Sequence, residues 1–203
     1  MAGRIAFVPV LLFLPALIAI PGVVQPAAHT DVEAHDVMDR NSLQAFVQRA
    51  RAEVEENVSD YEDLYDFADM QFRPMGDWHD GPIYIFIIAT DGIVDFHAAN
   101  MSLEGTSLWD SEDLNGVKYT QELIAAAEGG GGFVEYLFDN PDVEGDEEDG
   151  SPKVGYAELL TFGDKSLMIG SGFYPATNTP LAPPLAYLIL AALLAGAGLL
   201  RRR

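Results

Sequence analysis

The run IYIFIIATDGIVDFHAAN, residues 83–100, constrains the fold more than any other stretch of the chain. Two apolar segments rich in β-branched and aromatic residues meet at Asp91-Gly92, a pair that tolerates the positive φ of a tight hairpin turn. With a two-residue turn, Thr90 faces Ile93, Ile88 faces Asp95 and Phe86 faces His97. Side chains alternate along a strand. One face then carries Ile83, Ile85, Ile87, Ala89, Val94, Phe96 and Ala98, all apolar. The other carries Tyr84, Phe86, Ile88, Ile93, Asp95 and His97. The apolar face requires a cover. The mixed face suits either a half-solvated sheet surface or one wall of a small-ligand site.

The cover lies upstream. From 41 to 70 the residues Leu43, Phe46, Val47, Ala50, Val54, Val58, Tyr61, Leu64, Tyr65 and Ala68 step by three and four, predicting one long amphipathic helix. Asn41 and Gln44 have capping-box spacing at its start. Downstream, VKYTQELIAAAEGGGG predicts a short helix stopped by glycines. Strand-like runs follow at 132–138, 153–162 and 166–174, the last two joined by the Gly163-Asp164 turn. This order predicts an α+β fold: a five-stranded antiparallel sheet with the long N-terminal helix packed on one face.

Charge narrows the partners. The 203 residues carry a formal charge of −21, and four of the eleven basic residues (Arg4 and Arg201 to Arg203) sit at the ends. Such a surface repels nucleic acid and anionic headgroups, so no nucleic-acid partner is expected. The excess of acids over three lysines suits a protein solvated in high salt. Absence of cysteine removes disulfides and thiolate chemistry. At the N-terminus one arginine precedes an apolar run and small residues near Ala28 and Ala34. Residues 1–34 thus read as a signal peptide or as an uncleaved anchor. Residues 177–203 have a Pro-rich lead, an apolar helix and three arginines. They resemble the C-terminal sorting anchors of bacterial and archaeal surface proteins, and a plain tail anchor fits equally well. Both readings tether the acidic middle outside a membrane, with no output domain after it.

Over the middle, five segments resemble, in order, a single Cache domain, the extracytoplasmic PAS-like sensor module. They are ATDGIVDFHAAN, LEGTSLWDSEDLNGVKYTQEL, GGFVEYLF, PKVGYAELL and MIGSGFY. His97-Ala98 departs from the His-Pro common in that family. The resemblance implies residues 35–176 as the domain, a PAS-like topology, and a small organic ligand, often a carboxylate or amino acid. It also implies a membrane receptor as partner. His97 and Asn100 would then point polar groups into a largely apolar pocket beside Tyr84 and Phe86. Lys118, Tyr119, Tyr136, Lys153 and Tyr156 match polar or aromatic positions of the family pattern, and the lysines would neutralise a carboxylate. Arg73 reads as a carboxylate fork or a loop clamp. Trp109 and Trp78 read as lids over the pocket mouth or as core anchors.

Three motifs carry less. SEDLNGVKYTQE nearly fits a calcium loop, yet Ser111 replaces the first aspartate and Lys118 stands at an apolar position. EGGGGF follows a helix and lacks the Lys-Ser/Thr of a phosphate loop. DVEGDEEDG reads as a solvated hairpin tip. The four histidines show no ligand spacing. No cofactor, no metal and no catalysis are expected.

Overall fold

The amphipathic stretch folds as two helices, not one. The structure, a computed structural model, describes residues 31–146, 148 and 150–175. Of the leader expected at 1–34, residues 1–30 lie outside the described residues, as does the anchor expected at 177–203, while Ala34 is described and buried at the start of a 3₁₀ turn. Among the described residues no helix is long and apolar enough to cross a membrane. Helix α1 (Arg40–Asn57) starts one step earlier than its spacing suggested, because Asp39 is the N-cap and accepts from the Ser42 amide while the Ser42 hydroxyl reaches back. It ends at Val58, whose backbone is extended. Ser59 and Asp60 compete for backbone hydrogen bonds and disfavour helix. A 3₁₀ turn at Tyr61–Asp63 then leads into α2 (Leu64–Phe72). The apolar periodicity survives this elbow because Leu64 and Ala68 still face the core.

A short ribbon pairs β1 (His79–Asp80) with β2 (Ile83–Tyr84). The main sheet contains β3 (Phe86–Ala89), β4 (Val94–His97), β5 (Gly132–Phe138), β6 (Ser151–Phe162) and β7 (Lys165–Phe173). Its order is β4-β3-β7-β6-β5, antiparallel throughout. Helix α1 covers β6 and β7 on one face, and α3 (Tyr119–Glu128) packs against β5 and β6. The α1 face holds the aromatic core, where Trp78 packs 5.6 Å from Phe46 and 5.1 Å from Phe72 between ring centroids. The fold is the predicted α+β, PAS-like arrangement.

Hairpin β3–β4 keeps Phe86 opposite His97 by two compensating departures from a two-residue turn. Ala89 donates to Ile93 and Gly92 donates to Ala89, so the loop is Thr90-Asp91-Gly92. That three-residue loop sets Ile88 opposite Val94. A bulge between Ile87 and Ile88 then restores Ile87 to Phe96 and Phe86 to His97. Asp95, the extra residue, leaves the mixed face and accepts a hydrogen bond from Tyr61 at 2.8 Å. Gly92 has φ +88, and a Cβ there would lie 2.8 Å from Trp109 Cβ. Gly92→Ala is therefore expected to cost about 1–3 kcal/mol, read as a lowered midpoint in chemical denaturation; an unchanged midpoint would contradict this packing.

Candidate functional site

Alternation along β6 sorts its side chains between the two layers. Tyr156 and Glu158 face α1: the Glu158 carboxylate, nearly buried, accepts from Tyr156 at 2.7 Å, Gln48 at 2.8 Å and Arg51 at 3.0 Å. These donors hold its pKa below the ordinary carboxylate range against the opposing pull of burial. Lys153 faces the other way, opposite Tyr136 on β5.

Lys153 is 2 % exposed, and its Nζ donates to Tyr84 Oη at 3.0 Å. The ammonium lies 4.6 Å from the Tyr84 ring centroid, 4.8 Å from that of Phe138 and 4.9 Å from that of Tyr174. No carboxylate of the described residues forms an ion pair with it. Burial pushes its pKa down to about 7, only partly opposed by the more distant charge of Asp139. Cation–π contacts and one phenol are modest compensation for a buried charge.

His97 is 5 % exposed, its ring 4.8 Å from Tyr84 and stacked over Phe86 at 6.4 Å. Its Nδ1 accepts from the Asn100 amide at 3.0 Å, which leaves the proton of the neutral ring on Nε2. Burial first, and the Lys153 charge second, lower its pKa to about 4. The ring is thus a neutral donor at pH 7. Both effects disfavour the imidazolium.

Tyr84, Phe86, His97, Tyr136 and Lys153 line one cavity of about 30 Å³. Helix α3 lines it with Tyr119, whose ring stacks on Tyr136 at 5.0 Å, and with Thr120 and Leu123. An open hollow of about 390 Å³ shares Tyr84, His97, Leu108, Tyr119 and Phe138 with this cavity and extends to Asn100, Asp139 and Pro141. The inner space suits about two waters. The outer one has room for a small organic molecule.

The other five predicted positions lie outside the inner cavity. Arg73 is paired with Asp69 and Glu104 and donates to the His97 carbonyl, so it clamps the end of β4. Asn100 borders the outer hollow, but its amide oxygen caps a 3₁₀ turn by accepting from the Ser102 amide and hydroxyl. Trp109 is 38 % exposed, and its backbone packs on Gly92; its neighbour Leu108 takes the pocket wall. Lys118 pairs with exposed Asp110 at 3.3 Å. Tyr156 serves the α1 interface described above. Trp78 is a core residue.

Thr120 was not singled out by sequence. It is 1 % exposed, and its Oγ1 has no hydrogen-bond partner. The signal was available: Thr120, Leu123, Ile124 and Ala127 form the i, i+3, i+4, i+7 stripe of α3, and a hydroxyl interrupts it.

The Cache domain family model matches residues 38–179. A methyl-accepting chemotaxis protein from Vibrio parahaemolyticus is similar in structure at 28% identity and a TM-score of 0.54, covering 66% of this chain and 86% of that one. A Cache chemosensory domain described for carboxylic acid recognition shares the fold at 21% identity and a TM-score of 0.50, covering 66% and 88%. No curated protein matches. With the long helix, the sheet and the cavity all inside the matched span, the chain belongs to the Cache domain family.

Proposed function

We propose that the chain is an extracytoplasmic sensor domain that binds a small organic acid or amino acid, carboxylate inward, over Lys153. The observation that carries this reading is the buried Lys153 ammonium with no carboxylate beside it among the described residues. An anionic ligand would supply the missing partner, and His97 Nε2–H and Thr120 Oγ1 would complete its hydrogen bonds. Carboxylic acid recognition by a structurally similar Cache domain supports the ligand class. In this reading the ligand body occupies the outer hollow, while Tyr119 and Phe138 part to join it to the inner cavity. The segment at 177–203 tethers the domain to a membrane, where a receptor partner reads the bound state. The reading is one of binding without catalysis.

One observation favours a second reading. A cavity of about 30 Å³ is smaller than acetate and longer carboxylates need, which fits a surface protein that keeps the fold with its pocket filled. Thermal melting of the full chain with a panel of short carboxylates and amino acids separates the two. A ligand at 100 times its dissociation constant stabilises the folded state by about 2.7 kcal/mol. The sensor reading expects such a shift from at least one compound, lost in Thr120→Val. A flat response to the whole panel selects the structural reading.

A further inference from the structure

We propose that Lys153 is a carbon dioxide acceptor, its Nζ forming a carbamate inside the inner cavity. This goes beyond the organic-acid reading and does not depend on it. Three observations converge. The cavity of about 30 Å³ suits a triatomic guest without rearrangement. Nζ lines that cavity, held by Tyr84 Oη at 3.0 Å, with no carboxylate of the described residues pairing it as a fixed ammonium. Thr120 Oγ1, buried on the same wall, lacks a partner, and His97, whose neutral ring carries its proton on Nε2, lines the cavity as well.

The chemistry balances without any further reagent. The Nζ lone pair of the neutral amine attacks the carbon of CO₂ and forms the N–C bond. One C=O π pair moves onto oxygen, and one proton leaves to solvent, giving R–NH–COO⁻. Burial supplies the neutral amine by disfavouring the charged form. The two carbamate oxygens then accept from the Thr120 hydroxyl, His97 Nε2–H and the phenols of Tyr84 and Tyr136, which all line the cavity. Asp139, on the outer hollow, opposes the new negative charge and sets a limit on carbamate stability. Exposed Lys165 and the surface-paired Lys118 have neither the burial nor the donors.

The test equilibrates the full chain with ¹³C-labelled bicarbonate near pH 7.5, traps carbamates with triethyloxonium and maps the adducts by peptide mass spectrometry. The expected result is an adduct concentrated at Lys153, reduced several-fold in Thr120→Val and retained in Thr120→Ser. A ¹³C carbamate resonance absent from Lys153→Met would agree. No adduct at Lys153, one no richer there than at Lys118 and Lys165, or one undiminished by Thr120→Val overturns the proposal. Organic acids that shift the melt while no carbamate forms would leave the sensor reading intact and remove this one. Carbamate formation with no response to any acid would do the reverse.

Discussion

Lys153→Met is expected to melt about 3–10 °C higher than the parent at pH 7 and to lose its response to carboxylates. Methionine matches the length of the lysine stem and needs no charge partner. Replacing a poorly paired buried ion by an apolar group of similar volume commonly gains about 1–3 kcal/mol, and each kcal/mol is worth about 2–4 °C in a chain of this size. The cation–π contacts with Tyr84, Phe138 and Tyr174 are lost, which keeps the gain well below the full cost of the buried charge. The pH dependence follows from the same residue. Its pKa is about 7 when folded and near 10.5 when unfolded, so between those values the unfolded chain holds the extra proton. Parent stability therefore rises with pH across that window, by up to about 1.4 kcal/mol per unit. The penalty is fully present below pH 7. In Lys153→Met this slope disappears. His97 acts in the same sense lower down, its folded pKa of about 4 costing stability as pH falls from 6.5. Ligand binding has the opposite pH trend: an anion beside Nζ draws a proton back, so carboxylate affinity weakens as pH rises above 7. A Lys153→Met chain that melts below the parent at pH 7 would mean that the ammonium is well paired, and both readings of the cavity would lose their footing.

Much of this site is legible in the sequence, and the reasons differ residue by residue. Strict alternation in the hairpin placed Tyr84, Phe86 and His97 on one wall, because period 2 leaves a buried strand no other choice. The same alternation, applied to β6, separates Lys153 from Tyr156, since residues three apart on a strand face opposite ways. Asp95 was misplaced because a bulge is invisible in a run whose composition suits either register, and the three-residue loop cancelled its effect at Phe86. The α1–α2 break hid behind apolar spacing that the elbow preserves. Arg73 reads from the sequence as a carboxylate fork or a loop clamp, and Lys118 as one of few cations that could neutralise a carboxylate. In a chain this acidic, carboxylates claimed both at the surface or beside β4. Lys153 escaped that fate only because Tyr84 and Phe138 wall it off.

The larger destabilisation is expected at Gly170, where Gly170→Ala should cost about 3 kcal/mol and lower the melt by about 6–12 °C. Gly170 pairs with Phe86 across β3–β7 and with Ala157 across β6–β7. A Cβ at Gly170 would stand 2.6 and 2.8 Å from atoms of the Phe86 ring and 2.9 Å from the Tyr156 carbonyl. Gly172, two residues on, likewise leaves room for Lys153, whose Cε would lie 2.8 Å from an added Cβ. The two glycines let an aromatic ring and a lysine stem lie flat on the sheet, and that flatness leaves a cavity beneath Thr120. The ring can yield, whereas the carbonyl cannot without moving β6. Phe86→Leu in the Gly170→Ala background should therefore recover part of the loss, with a coupling of at least about 1 kcal/mol. Denaturant midpoints of the parent, both single variants and the double variant close the cycle. Strict additivity would show that the Gly170 penalty comes from the backbone of β6 alone, and that Phe86 does not depend on the glycine surface to line the cavity.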